Sequence, residues 1–264
     1  MSQTAFDDVR RFASIDSTNR YLLDEARAGA PEGVVAVADH QTAGRGRLGR
    51  SWEAPPGANL LVSVLLRPDL GPDDRHLATT AVALAAVDAV SDTTGTALAV
   101  KWPNDLVDGQ GRKLAGVLAE SDLAPAAAGG LAPPVVVGIG VNVAWPGADE
   151  DLPPDLVGRA VSLRMLGGRP VDRDTLLTAL LARLGGPDGR AAALGTAEGR
   201  AGLARDLLAA CSTVGTRVRV DLADGSFEGT ATGITPEGHL LVATDGDGTR
   251  TVVAGDVVHV RPGG

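Results

Sequence analysis

The chain is short of the side chains that most often carry chemistry. It has one cysteine, Cys211, so no disulfide can form within it, and its four histidines, His40, His76, His239 and His259, are too scattered to build a zinc site. Its first residues, MSQTAFDDVRR, are acidic early and contain no apolar core run, so neither a signal peptide nor a membrane span is expected in them. Positive charge is in deficit: 24 Lys and Arg against 33 Asp and Glu leave a net charge of -9, which repels phosphate backbones and anionic membranes. No internal repeat is present. What remains, 44% apolar residues in a chain of 264, suffices for a buried core in one large domain or a large domain with a small companion. A lone thiol suits a reducing compartment, and the cytoplasm is the expected location.

Apolar periodicity predicts the elements. Asp16 or Ser17 can cap a helix through Ala26 that turns Tyr21, Leu22 and Ala26 inward. VVAVA (34–38) and ANLLVSVLL (58–66) read as buried strands, and a long helix is expected from Pro72 to about Ser91 with Leu77, Ala81, Leu84 and Val87 on one face. LAVKW, RKLAGVLAE and PVVVGIGVNV read as neighbouring strands of one buried sheet. The Ala/Gly/Pro stretch 122–134 is expected to be a flexible excursion, and helices are expected at DTLLTALLARL and over 197–211. After Cys211 short β-branched runs alternate with turn dipeptides such as Asp224-Gly225. About fifty residues of that kind form about five strands, a small antiparallel barrel. The expected domains are therefore 1–212 and 213–264.

Four stretches could carry chemistry. In QTAGRGRLGR (41–50) glycines allow close backbone approach and three arginines supply permanent planar donors for carboxylate or phosphate oxygens. The Gly-Lys-Ser/Thr ending of a P-loop is missing, and a solvated loop or a nucleic-acid arm would have the same composition. In KWPND (101–105) Pro103 stops a strand, Asn104 and Asp105 favour a turn, and a lysine inside a sheet end beside a tryptophan needs a partner. RKLAG (112–116) begins a strand with a second lysine followed by small residues. In GIGVN (138–142) two glycines interrupt a core strand, which marks a bulge or a closely approaching ligand. With no histidine in these motifs and no nucleophile beside a base, the set is poorly equipped for hydrolysis. It is well equipped to hold two anions together while a carboxylate attacks a nucleotide phosphate.

Taken jointly, SIDSTN (14–19), GRGRLGRSW (44–52), GANLLVSVLLRP (57–68), KWPNDL, RKLAGVL, GIGVN and the C-terminal strands resemble the biotin protein ligases over nearly the whole chain. The resemblance implies an α+β fold: a catalytic domain like that of class II aminoacyl-tRNA synthetases, with a mixed sheet and flanking helices, followed by an SH3-like barrel. It implies that biotin and ATP with Mg²⁺ form biotinyl-5'-adenylate, and that a lysine of a biotin carboxyl carrier domain then takes the biotinyl group. Ser17, Thr18, Asn19 and Gln41 fall around the biotin head, with Arg45, Gly46 and Arg47 in a loop that closes over it and Gly116 beside it. Lys113 is implied as the contact to biotin's carboxylate and the reacting phosphate. Arg47, Lys101, Asp105 and Lys113 form the implied catalytic set, and Asp105 could orient a metal, Lys101 or the incoming amine. Nucleotide contacts fall to Arg47, Arg50, Trp52 as a stacking platform, Lys101, Asn104, Lys113 and Asn142. The motif block begins at Ser14, so a monofunctional ligase without a DNA-binding segment is expected, either a monomer or a weak ligand-dependent homodimer. A lipoate ligase of the same fold and a non-catalytic biotin-binding module are the competing readings. The arginine loop is expected to stay open until a ligand orders it.

Overall fold

The structure, a computed structural model, describes residues 6–71, 74–121, 132–147, 152, 156–222, 225–246, 248–253 and 255–259. Its larger sheet has seven strands. In chain order they are β1 (Val9–Phe12), β2 (Val35–Ala38), β3 (Leu60–Leu66), β4 (Ala99–Lys101), β5 (Asp105–Val107), β6 (Lys113–Ser121) and β7 (Val135–Val141). The spatial order is β1-β2-β3-β7-β6-β5-β4. The β1–β2 pair is parallel and the other pairs are antiparallel, so the sheet is mixed as expected.

Helices cover both faces. α1 (Thr18–Arg27) starts at Ser17, whose hydroxyl accepts from Arg20 N–H, and buries Leu22 and Ala26 against Ala36, Leu65 and Val136. On the opposite face α2 (Leu77–Thr94) lies between the sheet and helices α4 (Arg173–Leu184) and α5 (Ala197–Ala210); a short α3 (Leu163–Gly167) precedes them. α2 is sunk in the core, with Leu77, Ala81 and Leu84 buried and Val87 half-buried, and ends at Gly95 in the left-handed conformation that glycine adopts most easily. Among the described residues no helix is long and apolar enough to cross a membrane.

A second sheet holds β8 (Arg217–Leu222), β9 (Gly225–Ile234), β10 (Leu240–Thr244), β11 (Thr249–Val252) and β12 (Asp256–His259), all antiparallel in the order β11-β10-β9-β8-β12. Its buried Val218, Val220, Leu240 and Val257 join the same apolar cluster as α2 and α5. The two sheets therefore sit on one continuous core.

Several expectations change. α2 begins at Leu77, five residues after Pro72, and runs on to Thr94. The LAVKW strand does not adjoin RKLAGVLAE: it ends at Lys101, and β5 stands between the two. Asp105 is the first residue of that unexpected strand, paired with Lys101 across a tight turn that holds a cis Trp102–Pro103 peptide. β1 and α3 were also unforeseen. Most of the Ala/Gly/Pro stretch, residues 122–131, lies outside the described residues.

Candidate active site

Strand periodicity divides the large sheet into a packing face and a site face. On β3 and β7, Val62, Val64, Val137 and Ile139 join the cluster around α2, so the alternate positions Ser63, Gly138 and Gly140 face the other way, with Gly116 and Glu120 of β6 beside them. Two of these positions, Gly138 and Gly140, leave no room for a side chain, and Gly116 is tight. A Cβ on Gly138 would collide with the Asn19 amide, one on Gly140 would lie 2.5 Å from the Trp52 indole, and one on Gly116 would lie 3.1 Å from both Trp52 and Lys113 Nζ. The GIGVN glycines were expected to mark a bulge or an approaching ligand; what approaches them is the chain's own side chains, Asn19 at Gly138 and Trp52 at Gly140. Strand register runs through both glycines without a bulge.

A cavity of about 1580 Å³ opens over this floor. At one end the start of α1 meets Gln41 and β3. Thr18 N–H donates to Gln41 Oε1 (2.8 Å), and the Thr18 hydroxyl lies 3.0 Å from the same oxygen and 2.7 Å from Ser63 Oγ. Ser63 Oγ donates to Asn19 Oδ1 (2.6 Å), and Asn19 Nδ2 donates to Leu118 O (3.1 Å) and Glu120 Oε2 (2.8 Å). Ser17, Thr18 and Asn19 are all buried. The paired hydrogen bonds repay their desolvation.

The β4–β5 hairpin and the start of β6 build the centre. Lys113 Nζ lies 2.7 Å from Asp105 Oδ1 and 5.2 Å from the Trp52 ring centroid. Lys113 is held by its backbone on both sides: its N–H donates to Arg159 O (2.6 Å) and its carbonyl accepts from Val161 N–H (2.9 Å). Lys101, at the end of β4, lines the same cavity. Trp102 anchors the hairpin beneath it, its N–H donating to Thr213 Oγ1 (3.0 Å) and its indole N–H to Gly238 O (3.1 Å) in the second sheet.

The arginine loop is folded over this centre as a small irregular hairpin, not held open. Trp52 N–H donates to Gly44 O (3.0 Å) and Gly46 N–H to Arg50 O (2.7 Å), while Leu48 at the tip takes φ 57° and is exposed. Arg45 Nη1 reaches Glu120 Oε1 at 3.1 Å. Arg47 donates to Asn104 Oδ1 (3.1 Å) and to Gly255 O (3.0 Å), so one guanidinium joins the loop, the β4–β5 turn and the second sheet. Asn104 in turn donates to Val117 O (2.8 Å). Arg50 and Gly46 line the cavity mouth, and Gly46 has room for a Cβ.

Asn142, expected as an adenine partner, lines the cavity with its amide also engaged inside the protein. Its Oδ1 accepts from Asn59 Nδ2 (3.1 Å) and its Nδ2 donates to Val161 O (3.1 Å) and Lys113 O (3.5 Å), so both amide hydrogens point into the protein. It braces the strand start that carries Lys113. No group of three or more His, Cys, Asp or Glu able to hold a metal occurs among the described residues. Asp105 lines the cavity already paired with Lys113, an arrangement that suits a cation carried on phosphates better than a resident metal.

The first part of the chain, residues 11–142, matches the family described as Biotin/lipoate A/B protein ligase, and residues 213–260 match the Biotin protein ligase C terminal domain. The chain belongs to the biotin protein ligase family. It is 39% identical over 257 residues to a biotin--[acetyl-CoA-carboxylase] ligase of Mycobacterium tuberculosis, covering 94% of this chain and 88% of that protein. It is 31% identical to the bifunctional ligase/repressor BirA of Bacillus subtilis, covering 92% and 71%. The structure of the Aquifex aeolicus biotin protein ligase in complex with biotin and ATP superimposes with a TM-score of 0.75 at 25% identity, covering 97% of this chain and all of that one.

Among the cavity residues of this ligase that were not foreseen are Ser63, Glu120 and His259. Ser63 is a single polar residue in an apolar strand, and Glu120 lies near a strand end where charge ordinarily means solvent. His259 lies far along the chain, yet β12 brings it to the cavity wall, where Nε2 sits 3.1 Å from Thr213 Oγ1. Burial, and secondarily the nearby Lys101, hold its imidazole below the ordinary histidine range. The lone hydroxyl in an otherwise apolar β3 is a signal that could have found Ser63, and nothing local points to the other two.

Proposed function

We propose that the chain activates biotin with ATP and transfers it to a lysine of a biotin carboxyl carrier domain, as an ATP-dependent biotin--[acetyl-CoA-carboxylase] ligase. The observation that carries the reading is the Lys113–Asp105 pair beneath the arginine loop, above a floor of glycines that lets Trp52 lie flat on the sheet. In the first step a carboxylate oxygen of biotin bonds to the α-phosphorus of MgATP and pyrophosphate leaves. Lys113 neutralises the approaching anions, releasing Asp105 as it does so, while Arg47 and Lys101 bear the charge that builds on phosphorus. Mg²⁺ enters with the ATP phosphates, with Asp105 as one available oxygen ligand.

In the second step the carrier lysine, having lost one proton, attacks the mixed anhydride and AMP leaves. Positioning by the loop does most of the work in both steps. Ser17, which also caps α1, together with Thr18, Asn19 and Gln41 receives the biotin head, and Arg45, Gly46 and Gly116 border it. Trp52, Arg50, Asn104 and Lys101 face the nucleotide, with Asn142 acting through the strand it braces.

The mixed sheet with its flanking helices supports a class II aminoacyl-tRNA synthetase-like catalytic domain over 1–212, and the five antiparallel strands support an SH3-like domain over 213–264. The net charge of -9 supports a protein rather than DNA or a membrane as the partner. The reading further places the enzyme in the cytoplasm as a monomer or a weak ligand-dependent dimer. ATP–pyrophosphate exchange tests the activation step. Exchange that starts on adding biotin and not on adding lipoate supports the reading; the reverse pattern makes the chain a lipoate ligase, and no exchange with either acid leaves a binding module.

A further inference from the structure

Glu120 belongs to none of the four motif roles, yet the buried end of the cavity is organised from it. Its two carboxylate oxygens are used separately, Oε2 by Asn19 Nδ2 at 2.8 Å and Oε1 by Arg45 Nη1 at 3.1 Å. A carboxylate only accepts, so it dictates the orientation of the Asn19 amide. The reversed amide would point Oδ1 at the Glu120 carboxylate and at Leu118 O, three acceptors with no hydrogen among them. With Nδ2 committed to those two oxygens, Oδ1 takes the proton of Ser63.

The order then propagates. Ser63 has one hydroxyl proton, and it is spent on Asn19, so towards Thr18 Oγ1, 2.7 Å away, Ser63 can act only as acceptor. Thr18 has one proton too, and both neighbours that could take it, Ser63 Oγ and Gln41 Oε1, lie inside the network. Thr18 is left offering lone pairs to the cavity. A ring bearing N–H donors, such as a cyclic urea, is satisfied there. A ring without them leaves a buried acceptor unpaired.

We propose that Glu120 is a positioning residue that sets the hydrogen-bond polarity of the biotin-head end of the cavity, through Asn19, Ser63 and Thr18, and so favours a urea ring over a ring lacking N–H donors. The inference rests on the biotin reading of the site. Gln at position 120 keeps the shape but adds donors and removes the charge, so Asn19 loses its single allowed orientation.

The test measures steady-state ATP–pyrophosphate exchange on the full chain. Glu120→Gln should raise the KM for biotin about tenfold or more, with kcat at saturating biotin and the KM for ATP within about twofold of wild type. The same rise should appear in an Arg45→Ala background, because the effect runs through Asn19 and not through the loop arginine. Ser63→Ala should raise the biotin KM similarly, and combining it with Glu120→Gln should add less than about twofold, since both break one chain. An unchanged biotin KM, an equal rise in the KM for ATP, loss of the effect in Arg45→Ala, or fully multiplied effects in the Ser63 double variant would each overturn the proposal. If Glu120→Gln does not fold, Ser63→Ala carries the test alone, with an unchanged biotin KM as the contrary result. Wild-type protein that shows no biotin-dependent exchange contradicts the function itself; wild-type exchange with insensitive variants contradicts only the role of Glu120.

Discussion

Lys113 and Asp105 sit on neighbouring strands with Nζ 2.7 Å from Oδ1, and the same ammonium lies 5.2 Å from the centre of the Trp52 ring. One cation is thus held between a carboxylate and an aromatic face, over a floor of glycines. In the proposed mechanism its removal leaves biotin's carboxylate and the α-phosphate facing each other without a counter-charge. Lys113→Ala is expected to lower biotin-dependent pyrophosphate exchange by roughly 10²–10³-fold. Exchange at the wild-type rate would take Lys113 out of the chemistry.

Arg47 holds the folded loop through Asn104 Oδ1 and Gly255 O. Arg47→Ala removes both bonds, and the biotinyl-adenylate is expected to leave the enzyme at least about tenfold faster, on the scale of one or two lost charge-assisted hydrogen bonds. Rapid gel filtration of enzyme loaded with labelled adenylate measures this. Retention equal to wild type would show that the loop does not act as a lid.

Gly140 is a steric requirement for the seat of Trp52. Adding a single methyl, as Gly140→Ala does, should unseat the indole, shift tryptophan emission and raise the KM for ATP about tenfold, in line with loss of a base–aromatic stack. Gly167→Ala is the control, because nothing lies within 4 Å of its Cβ. An unshifted spectrum and an unchanged KM in Gly140→Ala would mean that the indole does not depend on that floor.

His259 supplies a pH dependence of known sign. Its folded-state pKa is depressed by burial and by Lys101, so the unfolded chain takes up the proton first as pH falls through about 6.5. Its contribution to stability is present above that value and is lost as pH drops toward the lower folded pKa. Urea midpoints measured from pH 7.5 to about 5.5 should fall more steeply for wild type than for His259→Asn. Parallel curves would show that the imidazole is equally easy to protonate in both states.

The extent to which the site was legible in the chain follows from how local its causes are. Lys113, Asp105 and the arginine loop announce themselves because charge and glycine beside apolar strands have a cost that only a partner relieves. The pairing of Lys113 with Asp105 was not legible, since Asn104 and Asp105 read as turn formers and concealed β5, a strand of three residues. β1 was missed for a related reason: VRRF is partly exposed along its whole length and shows no alternation. Gly138 and Gly140 read as marks of a bulge or an approaching ligand, whereas the strand register is regular there and the neighbours are Asn19 and Trp52, because a sequence does not say what approaches a glycine. Glu120 and His259 act across the fold, one through a chain of hydroxyl protons and one from the second sheet, and no spacing along the chain encodes either relation.

The most direct test of the account is transfer itself. The protein is mixed with ATP, Mg²⁺, biotin and an apo biotin carboxyl carrier domain, and the carrier is weighed by mass spectrometry. The account predicts the mass of one biotinyl group on one carrier lysine, dependent on ATP and absent when lipoate replaces biotin. A carrier of unchanged mass, or a lipoyl domain modified in its place, would contradict it.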